Sequence, residues 1–299
     1  MKDKFQSIAA IIITFNPDLA ALNTLIGIIK NQVNSTIIID NSCPSKLDMD
    51  FPENVEVITL NENRGIATAQ NIGIKKAVEK EMHNVILFDQ DTIPSTTLVF
   101  DLLQAREKAE KNNIKVAAIG PAHYDADKKS HCVSVKTERN KLFILTPDFD
   151  KEYTVCDFVI SSGCLIKSDV LKRVGLMEDE LFIDCVDIEW GFRAKSFGMN
   201  CLIANAAHAY HKIGDKPLVV LKRALTTHSP VRHYYFYRNF YLLMKRKYVP
   251  SVWKRHVFIK SSLQAFIFSL LLYPRVEHLK MIIKGIYHGI VGRTGKHEK

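Results

Sequence analysis

The 299-residue chain is 47% hydrophobic and 24% charged with a net charge of +9, an ordinary globular composition long enough for one large domain or a domain with an appendage. No run of about 18 apolar residues predicts a transmembrane helix, and the apolar run Ile8–Ile13 is too short for the core of a signal peptide. Six scattered cysteines without a C-x-x-C pair fit a reduced cytosolic setting rather than a disulfide framework or a zinc site. The charge is uneven: residues His208 to Lys299 hold 18 Lys+Arg and 3 Asp+Glu, a balance of +15, and the first 207 residues carry −6. Such a tail either faces an anionic partner (a membrane surface, a phosphorylated substrate or nucleic acid) or is a solvated basic face.

Taken in chain order, Ile8–Thr14 reads as a first buried strand and Asp18–Asn31 as a helix. Ser35–Asp40 and Val55–Leu60 are strands, Gly65–Glu81 is a helix, Val85–Phe88 a strand, Thr96–Asn112 an amphipathic helix and Val116–Gly120 a short strand. Strands alternating with helices imply a parallel sheet with right-handed crossovers. From Tyr124 to Val155 the pattern loosens into a mixed β or loop excursion. A strand over Phe158–Ile166, helices over Ser168–Val174 and Val186–Phe197, and a last strand Cys201–Ala204 follow. After about Asp215 the strands stop, and Arg232–Lys247, Val252–Tyr273 and Arg275–Val291 read as helices separated by Pro250 and Pro274. The expected organisation is an α/β catalytic domain over residues 1–215 and a basic, aromatic-rich helical extension over 216–299.

Asp89-Gln90-Asp91 directly follows the Val85–Phe88 strand. The carboxyl end of a strand is where open α/β sheets place their ligands. Two acids held close there repel each other unless something positive joins them, and a divalent metal carrying a diphosphate does so; capping of the next helix is the other reading. No G-x-G-x-x-G follows the first strand and no G-x-x-x-x-G-K-[ST] occurs, which removes the main support for dinucleotide-binding and P-loop chemistry.

Six segments appear in order: Thr14-Phe15-Asn16-Pro17, Asp40-Asn41-Ser42, Glu62-Asn63-Arg64-Gly65-Ile66-Ala67 with Asn71, Asp89-Gln90-Asp91, Ser161-Ser162-Gly163-Cys164-Leu165 and Asp187-Ile188-Glu189-Trp190-Gly191-Phe192-Arg193. This series resembles the inverting glycosyltransferases of family two, with the GT-A fold, and looks most like the bacterial rhamnosyltransferases of surface polysaccharide synthesis. The resemblance covers roughly residues 8–240. It implies a nucleotide-sugar donor bound by Thr14, Asn16, Asp40, Asn63, Arg64, Asp89 and Arg238. Asp40 would accept the N3–H of a uracil or thymine base, or else form a turn. Arg64 and the free N–H groups of the following helix would meet the diphosphate, or the segment simply starts a helix. It also implies Mg²⁺ or Mn²⁺ on Asp89 and Asp91, with His211 completing the site. Ser162, Gly163, Glu189 and Trp190 would face the acceptor or the sugar. Asp187 matches the general base, although Val186 stands where the family pattern has Glu; crowded acids there raise a carboxyl pKa toward neutrality.

The family-level expectation is a metal-dependent enzyme that transfers L-rhamnose from dTDP-rhamnose to a lipid-linked glycan in O-antigen or capsule synthesis. It would lie peripherally on the inner face of the cytoplasmic membrane. A UDP-hexose donor is the alternative within the class. A sugar nucleotidyltransferase would need a Gly-rich basic loop where Thr14-Phe15-Asn16-Pro17 stands, and a nucleic-acid binder would leave the clustered carboxylates unexplained. In the tail, Ala265–Tyr273 is apolar and flanked by Lys254, Arg255, Lys260, Arg275, Lys280 and Lys284. This suits helices lying in an anionic membrane interface, or equally a hairpin packed on the catalytic domain or a dimer contact.

Overall fold

The computed structural model describes residues 7–125, 129–210, 215–220 and 223–298. The first half runs β1 (Ile8–Thr14), α1 (Leu19–Ile29), β2 (Ser35–Asp40), β3 (Val55–Thr59), α2 (Ile66–Glu79), β4 (Asn84–Asp89), β5 (Ile93–Pro94), α3 (Leu98–Lys111) and β6 (Val116–Asp125). Short strands β7 (Ser130–His131), β8 (Ser134–Glu138), β9 (Lys141–Leu145) and β10 (Tyr153–Cys156) fill the segment where the apolar pattern loosens. Then come β11 (Cys164–Lys167), α4 (Ser168–Val174), α5 (Val186–Ser196) and β12 (Asn200–Tyr210). A hairpin β13 (Asp215–Val220) and β14 (Arg223–Thr227) precedes α6 (Pro230–Met244), α7 (Ser251–Leu271) and α8 (Arg275–Val291).

The main sheet has the order β10-β12-β6-β11-β4-β1-β2-β3. Pairings β4–β1, β1–β2, β2–β3 and β6–β12 are parallel; β11 runs antiparallel to both β4 and β6. β1 is buried along its whole length because both faces of the sheet are covered. Its side chains alternate: Ile11 and Ile13 join the core that contains α2 and α5, and Ile8, Ala10 and Ile12 join the one under α1 and α3. Each fully buried isoleucine is worth about 1.5–3 kcal/mol of transfer free energy, so this central strand anchors both layers.

Several elements differ from the sequence reading; β6 and β12, for instance, run on to Asp125 and Tyr210, past the expected ends at Gly120 and Ala204. The strand expected over Phe158–Ile166 begins only at Cys164. Gly163 turns the chain at φ 74° and its N–H donates to Leu87 O at 2.6 Å, so the chain enters between β4 and β6 from their far end. Strands also continue past Asp215, as β13 and β14. The core does not stop at the expected 215/216 division: Phe240, Leu242, Leu243, Val249 and Trp253 belong to the same apolar cluster as Ile11, Leu87 and Trp190.

α8 closes on α6 through two glycines. A Cβ on Gly285 would lie 2.5 Å from Tyr234 O, and one on Gly289 2.6 Å from Arg238 O. Gly285→Val is therefore expected to force the two helices apart, with a loss of about 1–3 kcal/mol typical of overpacking. A thermal melt should shift down by several degrees, and an unchanged midpoint would contradict this contact.

Candidate active site

Three polar residues end three adjacent strands at one edge of the sheet. The register pairs Thr14 with Asp40 across β1–β2, and Ile13 with Asp89 across β1–β4. Because β1 leads to β2 and β3 on one side while β4 lies on the other, this edge is a topological switch point, where loops splay and leave a crevice. The crevice is braced across its mouth. Phe15 N–H donates to Gln90 Oε1 at 2.7 Å, and Gln90 Nε2 to Phe15 O at 3.3 Å.

Asp40 is fully buried. Its Oδ1 accepts from Thr14 Oγ1 at 3.0 Å, Ser42 Oγ at 2.6 Å and Ser42 N–H at 3.1 Å, and its Oδ2 accepts from Ser45 Oγ. Burial works against its charge, but the hydrogen bonds from Ser42, Ser45 and Thr14 outweigh it and hold the pKa below the ordinary value. Asn16 N–H donates to Ser42 Oγ at 2.8 Å. Asn41 and Asn63 interlock: Asn41 Nδ2 donates to Asn63 Oδ1 at 3.1 Å and Asn41 Oδ1 accepts from Arg64 N–H at 2.8 Å. Thus Thr14, Asn16, Asp40, Asn63 and Arg64 form one connected group, with the Arg64 side chain half exposed beside Glu62.

Asp187 sits in the first turn of α5, half-buried, and its Oδ1 accepts the Ile188 N–H at 2.9 Å. Burial pushes its pKa up to about 6; the Ile188 hydrogen bond opposes this, and the charges of Asp89 and Asp184 add to it. Asp187 lines a small cavity together with Leu87, near the end of β4, and Ser161, although 98 positions separate it from Asp89 in the chain.

The turn that delivers Asp187 is strained. Phe182 (φ 64°, ψ −65°) is the centre of a γ-turn in which Ile183 N–H donates to Leu181 O at 2.7 Å. Asp184 (φ 67°) and Cys185 (φ 63°) are also left-handed. Such residues cost about 1–3 kcal/mol each and persist only when their surroundings over-determine them. Here Asn239 Nδ2 donates to Leu181 O, Ile183 O and Asp184 O at 2.7–2.8 Å. Arg238 donates to Leu181 O at 2.9 Å and to Glu180 O at 3.3 Å, and Arg232 pairs with Asp184 at 2.5 Å. From below, Phe182 O accepts from Ile66 N–H at 2.7 Å, a contact that requires Gly65. A Cβ there would lie 2.5 Å from that oxygen.

These contacts correct several expectations. Arg238 is fully buried against the rings of Tyr234 and Tyr235 with its guanidinium bonded to carbonyls, so it holds the turn instead of reaching a donor. The N–H groups that open α2 are not free for a diphosphate, since Ile66 and Ala67 give theirs to Phe182 O. Glu189 is fully buried in a bidentate pair with Arg193 at 2.8 and 2.9 Å and accepts from Tyr248 OH, away from any acceptor. Trp190 is a core residue whose Nε1–H donates to Gly175 O at 2.9 Å. Ser162 is buried beneath the acidic loop, its Oγ accepting from Asp89 N–H at 3.1 Å and lying 2.5 Å from Thr92 Oγ1. Gly163 is buried against Pro121 and serves the turn into β11. Sequence reasoning missed Asn239, Arg232 and Gln90; the nearest signal was Arg238, read there as a donor contact.

Asp89 and Asp91 present hard oxygen donors at the same loop, which suits Mg²⁺ or Mn²⁺. Among the described residues no cluster of three or more ligating side chains forms, so a cation there would draw further ligands from a bound diphosphate and water. His211 lies outside the described residues; Tyr210, just before it, pairs with Ile93 two residues beyond Asp91. An open groove of about 1070 Å³ between the β8–β9 hairpin and the approach to β10 contains none of these acids.

Two results are expected. Because a base must be ionised, kcat/KM should fall tenfold per pH unit below about 6, the raised pKa of Asp187, and be flat above it. A raised folded-state pKa stabilises the fold fully below the unfolded value of 3.8 and loses that contribution as pH rises through about 6. Asp187→Asn should therefore melt no lower than wild type at pH 8, and higher if the charge alone decides. It should lose about two to four orders of magnitude in rate. A rate independent of pH down to 4, or full activity in the variant, would remove Asp187 from the base role. Separately, Asn239→Leu removes the side-chain donor of Ile183 O and Asp184 O, at roughly 1–3 kcal/mol each, while Leu181 O keeps Ile183 N–H and Arg238. It should reduce kcat far more than it weakens donor binding in titration calorimetry.

The description Glycosyl transferase family 2 matches residues 10–175, a span that includes Thr14, Asp40, Asn63, Asp89 and Ser162 and ends before Asp187. The chain is 32% identical over 296 residues to dTDP-rhamnosyl transferase RfbF of Shigella flexneri, covering 97% of each chain. It is 19% identical over 270 residues to the low-salt glycan biosynthesis hexosyltransferase Agl10 of Haloferax volcanii, covering 88% of this chain and 85% of that one. Among solved structures, GalNAc-T7 with UDP, GalNAc and Mn²⁺ superposes with a TM-score of 0.57 at 12% identity, over 97% of this chain and 57% of that chain. TarS of S. aureus gives 0.52 at 14% identity, over 95% and 49%. The last two likenesses speak to the fold, which is the expected GT-A arrangement of a mostly parallel sheet flanked by helices. With the family match over more than half its length and a near-full-length relative, the chain belongs to glycosyl transferase family 2 and is a glycosyltransferase.

Proposed function

We propose that the chain transfers L-rhamnose from dTDP-β-L-rhamnose to a hydroxyl of a lipid-linked glycan, with inversion, during bacterial surface polysaccharide synthesis at the inner face of the cytoplasmic membrane. The observation that carries the donor is the 32% identity to dTDP-rhamnosyl transferase RfbF along 97% of both chains. The crevice at the ends of β1, β2 and β4 supports a nucleoside diphosphate. Asp40 is held as an anion by Thr14, Ser42 and Ser45, suited to accept N3–H of thymine. Arg64, half exposed, offers a guanidinium to the diphosphate.

In the transfer, Asp187 takes the proton of the acceptor hydroxyl as that oxygen bonds to C1 from the face opposite the leaving group. The C1–O bond to the diphosphate breaks and its electron pair leaves with dTDP. A carboxyl with a pKa near 6 is matched to this task at neutral pH. Mg²⁺ or Mn²⁺ held by Asp89 and Asp91 would supply positive charge to the departing diphosphate. The apolar wall that a 6-deoxy sugar calls for does not come from Trp190 or Tyr237, since both side chains are buried in the core.

The test is a melting and hydrolysis panel with dTDP-rhamnose, dTDP-glucose, UDP-galactose and UDP-glucose, each with Mn²⁺ and with EDTA. A ligand that binds only the native state raises its stability. The dTDP-rhamnose sample with Mn²⁺ should show the largest rise in melting temperature and the fastest release of dTDP, and Asp91→Asn should abolish the metal response. Preference for a UDP-hexose would reject the rhamnosyl donor. Undiminished turnover in EDTA would reject the metal.

A further inference from the structure

α8 has two unlike faces. His278, Ile282, Gly285, His288 and Gly289 are buried, closed against α6 through the glycine contacts. On its other side Val276, Leu279, Ile283, Tyr287 and Ile290 are exposed, at spacings of three and four residues that make one stripe. α7 repeats the pattern. Trp253, Ser261 and Phe268 are buried, whereas Ile259, Leu263, Phe266 and Leu270 are half exposed or more. Tyr273, between the two helices, is 88% exposed. Single exposed apolar residues need no explanation; an apolar stripe on each of two helices packed side by side is exposed apolar surface of the kind that marks a partner.

Charge selects the partner. α7 and α8 carry Lys254, Arg255, Lys260, Arg275, Lys280 and Lys284 against Glu277 alone. A second copy seated on this patch would bring the same cations together with almost no acid to offset them. A surface of anionic headgroups matches both the cations and the apolar stripes. No described helix is long and apolar enough to cross a membrane, so the hairpin would lie in the interface plane. We propose that the outer face of the α7–α8 hairpin docks on an anionic lipid bilayer, with its stripes at the acyl boundary and its basic residues on lipid phosphates. This deepens the reading of the acceptor as membrane-borne and rests on it only for its biological purpose. α6 lies against α8 and also holds the Asp187 turn through Arg238 and Asn239, so the docked hairpin fixes the cleft relative to the lipid surface.

Flotation with vesicles of phosphatidylcholine alone, and of phosphatidylcholine mixed with phosphatidylglycerol, tests this on the full chain. Wild type should partition at least about tenfold better onto the anionic vesicles, at roughly 1 kcal/mol per engaged basic residue, and be released by salt. The surface pair Phe266→Glu with Ile283→Glu, and the pair Lys280→Glu with Lys284→Glu, should each remove most of that binding. Partition that ignores lipid charge and both substitution pairs would overturn the proposal. So would a lipid-free dimer, seen by light scattering, that the Phe266→Glu/Ile283→Glu pair dissociates. The melting shift with dTDP-rhamnose, read on the same samples, separates a failure of docking from a failure of the donor reading, because these exposed residues lie outside the donor crevice.

Discussion

The side-chain amide of Asn239 donates to the carbonyls of Leu181, Ile183 and Asp184, and with Arg238 and Gly65 it fixes a run of backbone that would otherwise relax. Three left-handed residues, Phe182, Asp184 and Cys185, lead straight into α5. At about 1–3 kcal/mol each, their strain rivals much of the stability of a whole domain. It is held by groups from opposite sides of the cleft: the opening turn of α2 below and α6 above. Asp187, the proposed base, is therefore positioned by the C-terminal helices as much as by the sheet, and the apolar core runs without a break from β1 to Trp253.

The second organising feature is a separation of charge. Asp187 lies near other acids: burial is the main cause that raises its pKa toward neutrality, and the charges of Asp89 and Asp184 add to it. Cations collect on α7 and α8, where Lys254 turns back to Arg246 O and Arg255, Lys260, Arg275 and Lys280 are exposed. A cleft with this balance repels a nucleoside diphosphate unless Arg64 and a divalent cation offset it, which is the physical ground for the metal dependence proposed above. The basic hairpin is proposed to meet a different anion, the lipid headgroup.

Much of this was legible in the chain. Apolar runs that stop at a polar residue marked the ends of β1, β2 and β4, and strand ends are where α/β sheets bind ligands; the donor roles of Thr14 and Asp40 came from the family resemblance. Side-chain direction was not legible. Glu189 follows Asp187 by two residues, which on a helix is roughly 200° of rotation, and so it points into the core against Arg193. Arg238 carries the residue type of a phosphate ligand, but its tertiary neighbours are carbonyls of a turn 57 residues away. Ser162 lies at the right edge of the sheet yet beneath the acidic loop, not within the cleft. Proximity along the chain identified the neighbourhood, and packing decided which side chains reach it.

The central claim is that Asp187, held by this turn, drives a single displacement at the anomeric carbon. Its most direct test is the anomeric configuration of the first product, read by proton and carbon NMR before any mutarotation or hydrolysis. A β-linked dTDP-rhamnose should yield an α-linked rhamnosyl product. Retention of the β configuration would require a second displacement and a nucleophile in place of a base, and would contradict the role assigned to Asp187.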